Sequence, residues 1–451
     1  MNGYFDHNAT TPLHPAARGA WLAAADRFWH NPSSLYREAG AARQALEDAR
    51  EQVAEWLGCG AEEIVFLSGA TEANNAVMRH FASAPASGNR SAAAAITAPT
   101  SQGEVLKTGN FPTGTSAATT ETDMETGIRP AVSALEHPSV AEPAEHEFGT
   151  RLLRIPATAD GLADLAALRE TVIRSRPALV SLMAANNETG VLQPWAEALG
   201  ICRESGVNFH CDAAQWIGKM PSAGLGKCDF VTGSAHKFGG PKGIGFLKVP
   251  SAGRPLRWLR GGPQEERRRA GTENLPAVAA MVAAWAAREQ ALNGETGGQI
   301  MDPRDEGCPS RIPPPSPEPA RPAARRSFEK RLRELLPEAG IIAEHSPRLW
   351  NTVLLTVPPP GNVKWLVRLS ALGFQISTGS ACSQGGGASA VLRAMGVPTE
   401  KLGQVLRVSG GWETTAADWL ALADAFAAVA GAISRPPAKA GISADLGAES
   451  V

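Results

Sequence analysis

The stretch Gly233-Ser-Ala-His-Lys-Phe-Gly-Gly-Pro-Lys-Gly (233–243) decides how the chain is organised. It places Lys237 on a tight loop between two short apolar segments, 229–232 and 244–249, which we predict to be strands. The glycines of the loop permit close backbone approach and unusual dihedral angles. A lysine held in this way can lose its proton and attack a carbonyl group, although by itself it could equally be an ordinary surface lysine.

Strands and helices alternate upstream of this loop. We predict strands over 152–155, 178–183 and 207–211, with helices over 163–175 and 194–205 between them. This alternation predicts an α/β fold in which a mainly parallel sheet carries helices on both faces. In such sheets, ligands bind at the carboxyl ends of the strands.

Four polar residues directly follow predicted strands and are therefore expected to converge: His137, Asn186, Asp212 and Lys237. A lysine can form an imine, an aspartate can balance the charge on a ring nitrogen, and a histidine can stack on a ring and move protons. The turn 68–71 opens a helix and offers backbone amides to an anion. Pyridoxal phosphate is one cofactor that uses all of these groups. Taken singly, each group has a simpler explanation, such as a capped turn, a structural histidine or a helix N-cap.

Length and composition set broader limits. The 451 residues are enough for a large and a small domain, and 43% hydrophobic with 20% charged residues is typical of a globular protein with a sizeable core. A net charge of −2 favours neither nucleic acid nor an anionic membrane as the main partner. We predict no membrane span, because no apolar run is long enough to cross a bilayer, and no signal peptide, because the N-terminus lacks a basic region followed by an apolar core. Scattered cysteines without C-x-x-C predict neither a metal cage nor disulfides and favour the cytoplasm.

We predict a large domain over 13–262 and a small domain formed by 1–12 and 263–433, followed by a frayed tail, 434–451. Two further segments lack a sustained period of large apolar residues and are interpreted as inserts. The first, about 83–130, is rich in Ala, Ser, Thr and Gly, and the second, about 293–325, is rich in proline.

The chain resembles the cysteine desulfurases of the class V aminotransferase family, which have the type I fold of pyridoxal phosphate enzymes. The resemblance covers nearly the whole chain outside the two inserts and the tail. The stretches that carry it, in order, are Asp6-His-Asn-Ala-Thr-Thr-Pro, Asn31-Pro-Ser-Ser, Ser68-Gly-Ala-Thr-Glu-Ala-Asn-Asn, Glu136-His-Pro-Ser, Ala185-Asn-Asn-Glu-Thr-Gly, His210-Cys-Asp-Ala-Ala-Gln, Ser234-Ala-His-Lys, Arg269-Ala-Gly-Thr-Glu-Asn, Thr378-Gly-Ser-Ala-Cys and Leu406-Arg-Val-Ser.

This resemblance implies a fold with a large mixed, mainly parallel sheet between helices and a smaller α+β domain. It also implies roles for single residues. Lys237 would carry the cofactor as an imine, His137 would stack on its ring and assist proton transfer, and Asp212 would pair with its pyridinium nitrogen. Gln215 would bond the phenolic oxygen of the cofactor, and Asn186 and Arg407 would bind the substrate carboxylate. The cofactor phosphate would be held by Ala70, Thr71, Ser234 and His236. Thr272 would reach the phosphate in the neighbouring subunit of a homodimer.

Cys382 lies among small residues in Ser377-Thr-Gly-Ser-Ala-Cys-Ser-Gln-Gly-Gly-Gly and is interpreted as a mobile nucleophile rather than an incidental loop cysteine. The resemblance then implies that L-cysteine becomes L-alanine and that Cys382 takes the sulfur as a persulfide. The sulfur would pass to an acceptor such as an iron–sulfur scaffold or a thiolation carrier. No metal ion is expected. Selenocysteine lyase is the nearest alternative activity, and an inactive sulfur-transfer scaffold and a plain aminotransferase are further ones.

Three departures from the family pattern stand out. Gly-Gly-Gly-Ala-Ser (385–389) replaces the usual residues after Cys382, and Gly411-Trp412 stands where a second arginine is common. Ala70 occupies a position that is usually glycine.

Overall fold

The protein is an α/β structure built on one large and one small sheet, as the alternating pattern predicts. The computed structural model describes residues 3–84, 127–251, 256–295, 320–379 and 389–434. Cys382, Cys308, the tail and most of both predicted inserts lie outside these residues.

The large sheet has seven strands in the order β1-β7-β6-β5-β4-β2-β3. Within it, β7 alone runs opposite to the others, since it pairs antiparallel with both of its neighbours. The parallel pairing of the other strands brings their carboxyl ends to one edge, as predicted. The strands are β1 Ile64–Leu67, β2 Pro130–Ser133, β3 Leu153–Ile155, β4 Leu179–Ser181, β5 Asn208–Asp212, β6 Phe230–Ser234 and β7 Gly245–Lys248.

Helices cover both faces of this sheet. They are α1 Pro15–Arg27, α2 Arg37–Leu57, α3 Ala70–Ala82, α4 Pro138–Phe148, α5 Leu165–Ser175, α6 Trp195–Glu204 and α7 Leu275–Glu295. Their ends follow local chemistry. Asp164 caps α5 by accepting hydrogen bonds from two backbone amides, and Gly58, with a φ of 77°, ends α2 in the left-handed conformation.

The small sheet is antiparallel, in the order β10-β9-β8, with β8 Gly340–Ile341, β9 Thr352–Thr356 and β10 Val405–Ser409. Its helices are α8 Ala320–Leu335, α9 Asn362–Ala371, α10 Ala390–Ala394, α11 Thr399–Leu402 and α12 Ala416–Ser434. Phe5 of the N-terminal segment is fully buried in the same core as Phe328, Trp365 and Phe426. Phe5 therefore packs with the elements of the C-terminal half.

The structure differs from the sequence-based boundaries at α7 and α8. Trp285 and other residues of α7 lie in the core of the large sheet, on the far side of the predicted boundary at 262. The predicted irregular segment 293–325 is helical at both described ends, because α7 runs to Glu295 and α8 begins at Ala320. Apolar contacts with α1 and α12 supply the stability that the local composition does not reveal.

The helix α12 is long and apolar enough over Ala416–Ile433 to cross a membrane by length and composition alone, which the sequence analysis did not expect. Its Trp419, Leu422 and Phe426 are buried in the small core against α8. We therefore interpret it as a core helix.

Candidate active site

Lys237 lies in a short 3-10 helix, Ala235–Lys237, directly after the carboxyl end of β6. Its ammonium group donates hydrogen bonds to the carbonyl oxygens of Asn8, at 2.7 Å, and Ala9, at 2.9 Å. The carbonyl of the neighbouring His236 accepts hydrogen bonds from the backbone amide and hydroxyl of Thr11, each at 2.9 Å. The N-terminal segment therefore forms one wall of the site around the lysine.

Asp212 ends β5 and lies at the same sheet edge, with 6% of its surface exposed. Its Oδ2 accepts a hydrogen bond from Asn74 Nδ2 at 2.8 Å, and its Oδ1 accepts from the amide of Ala214 at 2.9 Å. Asn74 is fully buried in α3, donates also to Ser139 Oγ, and accepts from Thr232 Oγ1 at 2.7 Å. The carboxylate thus has a fixed orientation, as a group that balances a cationic ring nitrogen requires.

His137 precedes α4 as its N-cap, with Pro138 in the first helical position. Its Nδ1 accepts a hydrogen bond from the amide of Ser139 at 3.1 Å and lies 2.8 Å from the hydroxyl of that residue. Burial lowers the pKa of His137, with a smaller opposing effect from Asp212 and a further lowering effect from Lys237. The neutral ring, with Nδ1 as an acceptor, carries its proton at Nε2.

The first turn of α3 forms an anion cradle next to the end of β6. Gly69, with a φ of 150°, precedes the helix, and no side chain of the described residues caps its N-terminus. A Cβ atom at Gly69 would lie 3.2 Å from Ser234 Oγ, so the close approach requires glycine. Ala70 and Thr71 are the first helical residues, and their amides point to the cradle. His236 lies nearby, and burial together with neighbouring lysines lowers its pKa to about 4.

Gln215 is 4% exposed and donates from Nε2 to the carbonyl of Asn8 at 2.8 Å. Its Oε1 accepts a hydrogen bond from Lys219, a second buried lysine, which also donates to Asn8 Oδ1 at 3.1 Å. The carbonyl of Asn8 thereby joins Gln215 to Lys237. Neither Asn8 nor Lys219 has a role predicted from the sequence.

Arg407, in the middle of β10, is 2% exposed and binds Asp6 through Nη2 at 2.7 Å. Its Nη1 donates to the carbonyls of Asn187, at 3.0 Å, and Gly379, at 3.3 Å, while its Nε has no hydrogen-bond partner among the residues that the structure describes. The guanidinium predicted to bind the substrate carboxylate is therefore already paired with a carboxylate of the chain itself.

Asn186 lies beside this arginine and is fully buried. Its Oδ1 accepts hydrogen bonds from the amides of Glu188 and Thr189, both at 2.9 Å. Its Nδ2 donates to the carbonyl of Leu135 at 3.1 Å and to the thioether of Met183 at 3.4 Å. A contact with substrate would replace the weak bond to sulfur, and the substrate role of Asn186 stays a prediction.

Glu188 borders the two described ends of the segment that contains Cys382. Its Oε2 accepts a hydrogen bond from Ser389 Oγ at 2.7 Å and lies close to Gly379. Burial raises the pKa of this carboxyl group. Thr272 is exposed in the segment before α7, where a neighbouring subunit could reach it.

The arrangement of these residues fits pyridoxal phosphate. Uncapped helix amides beside Ser234 suit a phosphate, Asp212 suits a pyridinium nitrogen, and Lys237 suits an aldehyde carbon. Among the residues that the structure describes, no group of three His, Cys, Asp or Glu side chains could hold a metal ion.

Sequence reasoning missed Asp6, Asn8, Asn74 and Lys219. The first three lie in stretches that carry the family resemblance, and this location was the signal that could have identified them. Lys219 gave a weaker one: it is a lysine four residues after Gln215, in a segment that also contains Trp216 and Ile217.

Comparison with known proteins gives concordant results. The family model for class V aminotransferases matches residues 3–97 and 114–293. A cysteine desulfurase of Klebsiella pneumoniae is 34% identical over 403 residues, which are 88% of this chain and 84% of that protein. Among solved structures, a NifS-like protein from Rickettsia africae has a TM-score of 0.73 at 27% identity, covering 95% of this chain and 99% of that one. The structure of SspA in complex with cysteine has a TM-score of 0.66 at 25% identity, covering 90% of this chain and 98% of that one.

Proposed function

This chain belongs to the class V aminotransferase family, whose enzymes work with pyridoxal phosphate, and we infer that it is a cysteine desulfurase. It converts L-cysteine to L-alanine and transfers the sulfur. The observation that carries the assignment of the site is the position of Lys237 at the sheet edge that also holds His137 and Asp212.

We propose that pyridoxal phosphate binds at this edge. Lys237 holds its aldehyde carbon and Asp212 its ring nitrogen, while Gln215 donates to its phenolic oxygen. The phosphate binds to the cradle at Ala70, Thr71, Ser234 and His236. The chemistry that the cofactor supplies is an electron sink that weakens the bonds to the substrate α-carbon.

The residues around it move and hold protons. Lys237, whose side-chain nitrogen contacts the carbonyl oxygens of Asn8 and Ala9, takes the α-proton of the substrate as a neutral amine. His137 stays neutral near pH 7 because burial lowers its pKa, and its Nε2–H faces outward from the bond that Nδ1 makes with Ser139. Arg407 binds the substrate carboxylate, and Asn186 supports it.

Cys382 takes the sulfur. Its thiolate attacks the substrate sulfur, an S–S bond forms as the C–S bond breaks, and the electron pair of that bond returns to the substrate carbon, which gains protons and leaves as alanine. Thiols elsewhere are poor candidates, because burial raises the pKa of Cys59 and Cys202 to about 12 and also raises the pKa of Cys211 well above its usual range. Cys202 and Cys211 are fully buried core residues.

We also propose the partners and the setting. A homodimer brings Thr272 to the phosphate of the second subunit, and a protein acceptor, either an iron–sulfur scaffold or a thiolation carrier, removes the sulfur. The scattered thiols favour the cytoplasm.

The test is incubation of the purified protein with pyridoxal phosphate and L-cysteine. We expect a visible absorption band from bound cofactor, alanine, and a persulfide that mass spectrometry maps to Cys382. Lys237→Ala should lose the band, and Cys382→Ala should keep the band but form no persulfide.

Cys59→Ala serves as the matched control and should behave like the wild type. A colourless protein that takes up no cofactor would refute the assignment. Alanine formation without a persulfide at Cys382 would leave the cofactor site standing and remove the role of this cysteine. A higher rate on L-selenocysteine than on L-cysteine would identify the protein as a selenocysteine lyase.

A further inference from the structure

Lys219 is a buried cation that the reaction described above does not use. It is 3% exposed, and of the residues that the structure describes none offers it a carboxylate. Its two acceptors, Asn8 Oδ1 and Gln215 Oε1, are neutral. Burial lowers its pKa well below the usual range, and the charges of Lys237 and Arg407 act in the same direction. A buried ammonium without a counter-ion costs stability, so packing alone does not account for it.

The backbone at this lysine is held from two sides. The indole of Trp350 donates to the carbonyl of Lys219 at 3.0 Å, and the indole of Trp412 donates to the carbonyl of Gly218 at 2.8 Å. Trp412 stands at one of the departures from the family pattern. Both indoles restrict the path of Lys219 so that its ammonium group reaches Asn8 and Gln215.

The hydrogen bond from Lys219 then determines how Gln215 is oriented. Lys219 Nζ donates to Gln215 Oε1, and as an ammonium group it can only donate, so the end of the carboxamide that faces it is the oxygen. The nitrogen end must face the carbonyl of Asn8, to which it donates at 2.8 Å. An amide nitrogen carries two hydrogens, and that bond uses one.

We propose that Lys219 is a positioning residue that fixes the Gln215 carboxamide with an N–H directed at the cofactor's phenolic oxygen. This inference rests on the proposed function and deepens it. Without the lysine, the amide can rotate by half a turn and present its oxygen to the phenolic oxygen, which repels it. The titratable and charged groups around Lys219 are Lys237 and His236 after β6, Arg407 on β10, and His7 in the N-terminal segment.

The test uses the holoenzyme and the variant Lys219→Met, which keeps the length of the side chain and removes the donor. Loss of the fixed N–H destabilises the phenolate form, so the pH midpoint of the cofactor's visible band should rise by about one unit. The kcat for cysteine should fall about tenfold while KM changes less than about twofold, because Arg407 is untouched. In a Gln215→Leu background, Lys219→Met should add less than about a third of its own shift.

Lys248→Met is the matched control, since Lys248 is also buried, at 4% exposure, and donates to the carbonyl of Cys228 at 2.8 Å outside the site. It should leave the midpoint unchanged. If Lys219→Met is not recovered folded, Lys219→Gln replaces it with the same expectation, because an amide can offer its oxygen and no longer dictates the orientation.

Three results would overturn the proposal: a midpoint in Lys219→Met equal to that of Lys248→Met, an undiminished shift in the Gln215→Leu background, or a loss confined to KM. A wild-type protein that binds no pyridoxal phosphate is a different result, because it refutes the proposed function itself.

Discussion

Two buried arginine–carboxylate pairs in this protein have opposite characters. Arg50 binds both carboxylate oxygens of Glu265, at 2.8 and 3.2 Å, and Glu265 also accepts from the amide of Phe66. Arg407 binds one oxygen of Asp6, and within the described part of the chain its Nε has no hydrogen-bond partner. The side chain of Glu265 is 2% exposed, whereas that of Asp6 is 23% exposed. The first pair is complete, and the second leaves bonding capacity for another carboxylate.

The complete pair also has a structural task. Glu265, Glu266 and Arg267 are three consecutive non-glycine residues with positive φ, from 48° to 64°. Such a conformation persists only when its surroundings hold it, and the bond from Arg50 does so. The segment leads to Thr272, so the Arg50–Glu265 pair shapes a loop of the proposed dimer site. The Arg407–Asp6 pair lies within the proposed substrate site.

Breaking the complete pair should have the largest effect. Glu265→Ala leaves the Arg50 guanidinium buried without a counter-ion and should lower the free energy of unfolding by about 4 kcal/mol. Denaturant titration measures this. Glu266→Ala is the matched control, with a similar φ but an exposed side chain, and should change the free energy by less than about 0.5 kcal/mol. Equal losses in both variants would show that backbone strain and not the ion pair controls this segment.

The pair at the site should instead control substrate binding. Arg407→Lys removes the planar fork and should lower kcat/KM for cysteine about 100-fold, near 3 kcal/mol, mainly through KM. Steady-state kinetics measures this. Arg50→Lys, the same change at the other pair, should reduce stability and leave KM unchanged. A normal KM in Arg407→Lys would exclude this arginine from the carboxylate site.

Lowering the pH should first reduce stability through a buried histidine, and not through either arginine–carboxylate pair. Burial lowers the pKa of His210 to about 4. Below pH 6.5 the unfolded chain therefore binds a proton at this histidine that the folded protein does not bind. Stability is therefore full above pH 6.5 and falls as the pH drops towards 4, with His210 accounting for about 2 kcal/mol at pH 5. His210→Asn should flatten the fall between pH 7 and 5 in denaturant titrations. The exposed His146→Asn should not, and an unchanged slope in His210→Asn would contradict the expectation.

The smallest effect is expected for Asp6, the carboxylate that competes with the substrate for Arg407. Asp6→Asn removes the carboxylate that occupies Arg407 and should lower KM for cysteine about fivefold, because the substrate no longer meets an opposing charge. Glu413→Gln, at the half-exposed pair with Arg288, should leave KM within about twofold. A rise in KM for Asp6→Asn would show that Asp6 orients the arginine and does not compete with the substrate.

Much of the site could be predicted because it depends on strand ends. Asp212 and Lys237 each end or directly follow a strand, and His137 follows β2 by a short turn. Parallel pairing brings the carboxyl ends of these strands to one edge of the sheet, whatever side chains follow them. The order of elements along the chain was therefore sufficient to predict that these residues lie close together. Local period also predicted α5 and α6, whereas the segment 293–325, interpreted as an insert, overlaps the start of α8 at Ala320.

The sequence by itself therefore determined the fold class and the family, and it predicted the residues that would carry the chemistry. Only the tertiary structure decided which groups hold them. Asn8 meets Lys237 across 229 residues, Asn74 meets Asp212 across 138, and Arg407 meets Asp6 across 401. Hydrogen bonds over such separations leave no periodic trace in the chain, because they depend on how distant elements pack. Lys219 shows this most clearly: its sequence setting is ordinary, and only its burial beside Gln215 assigns it a task.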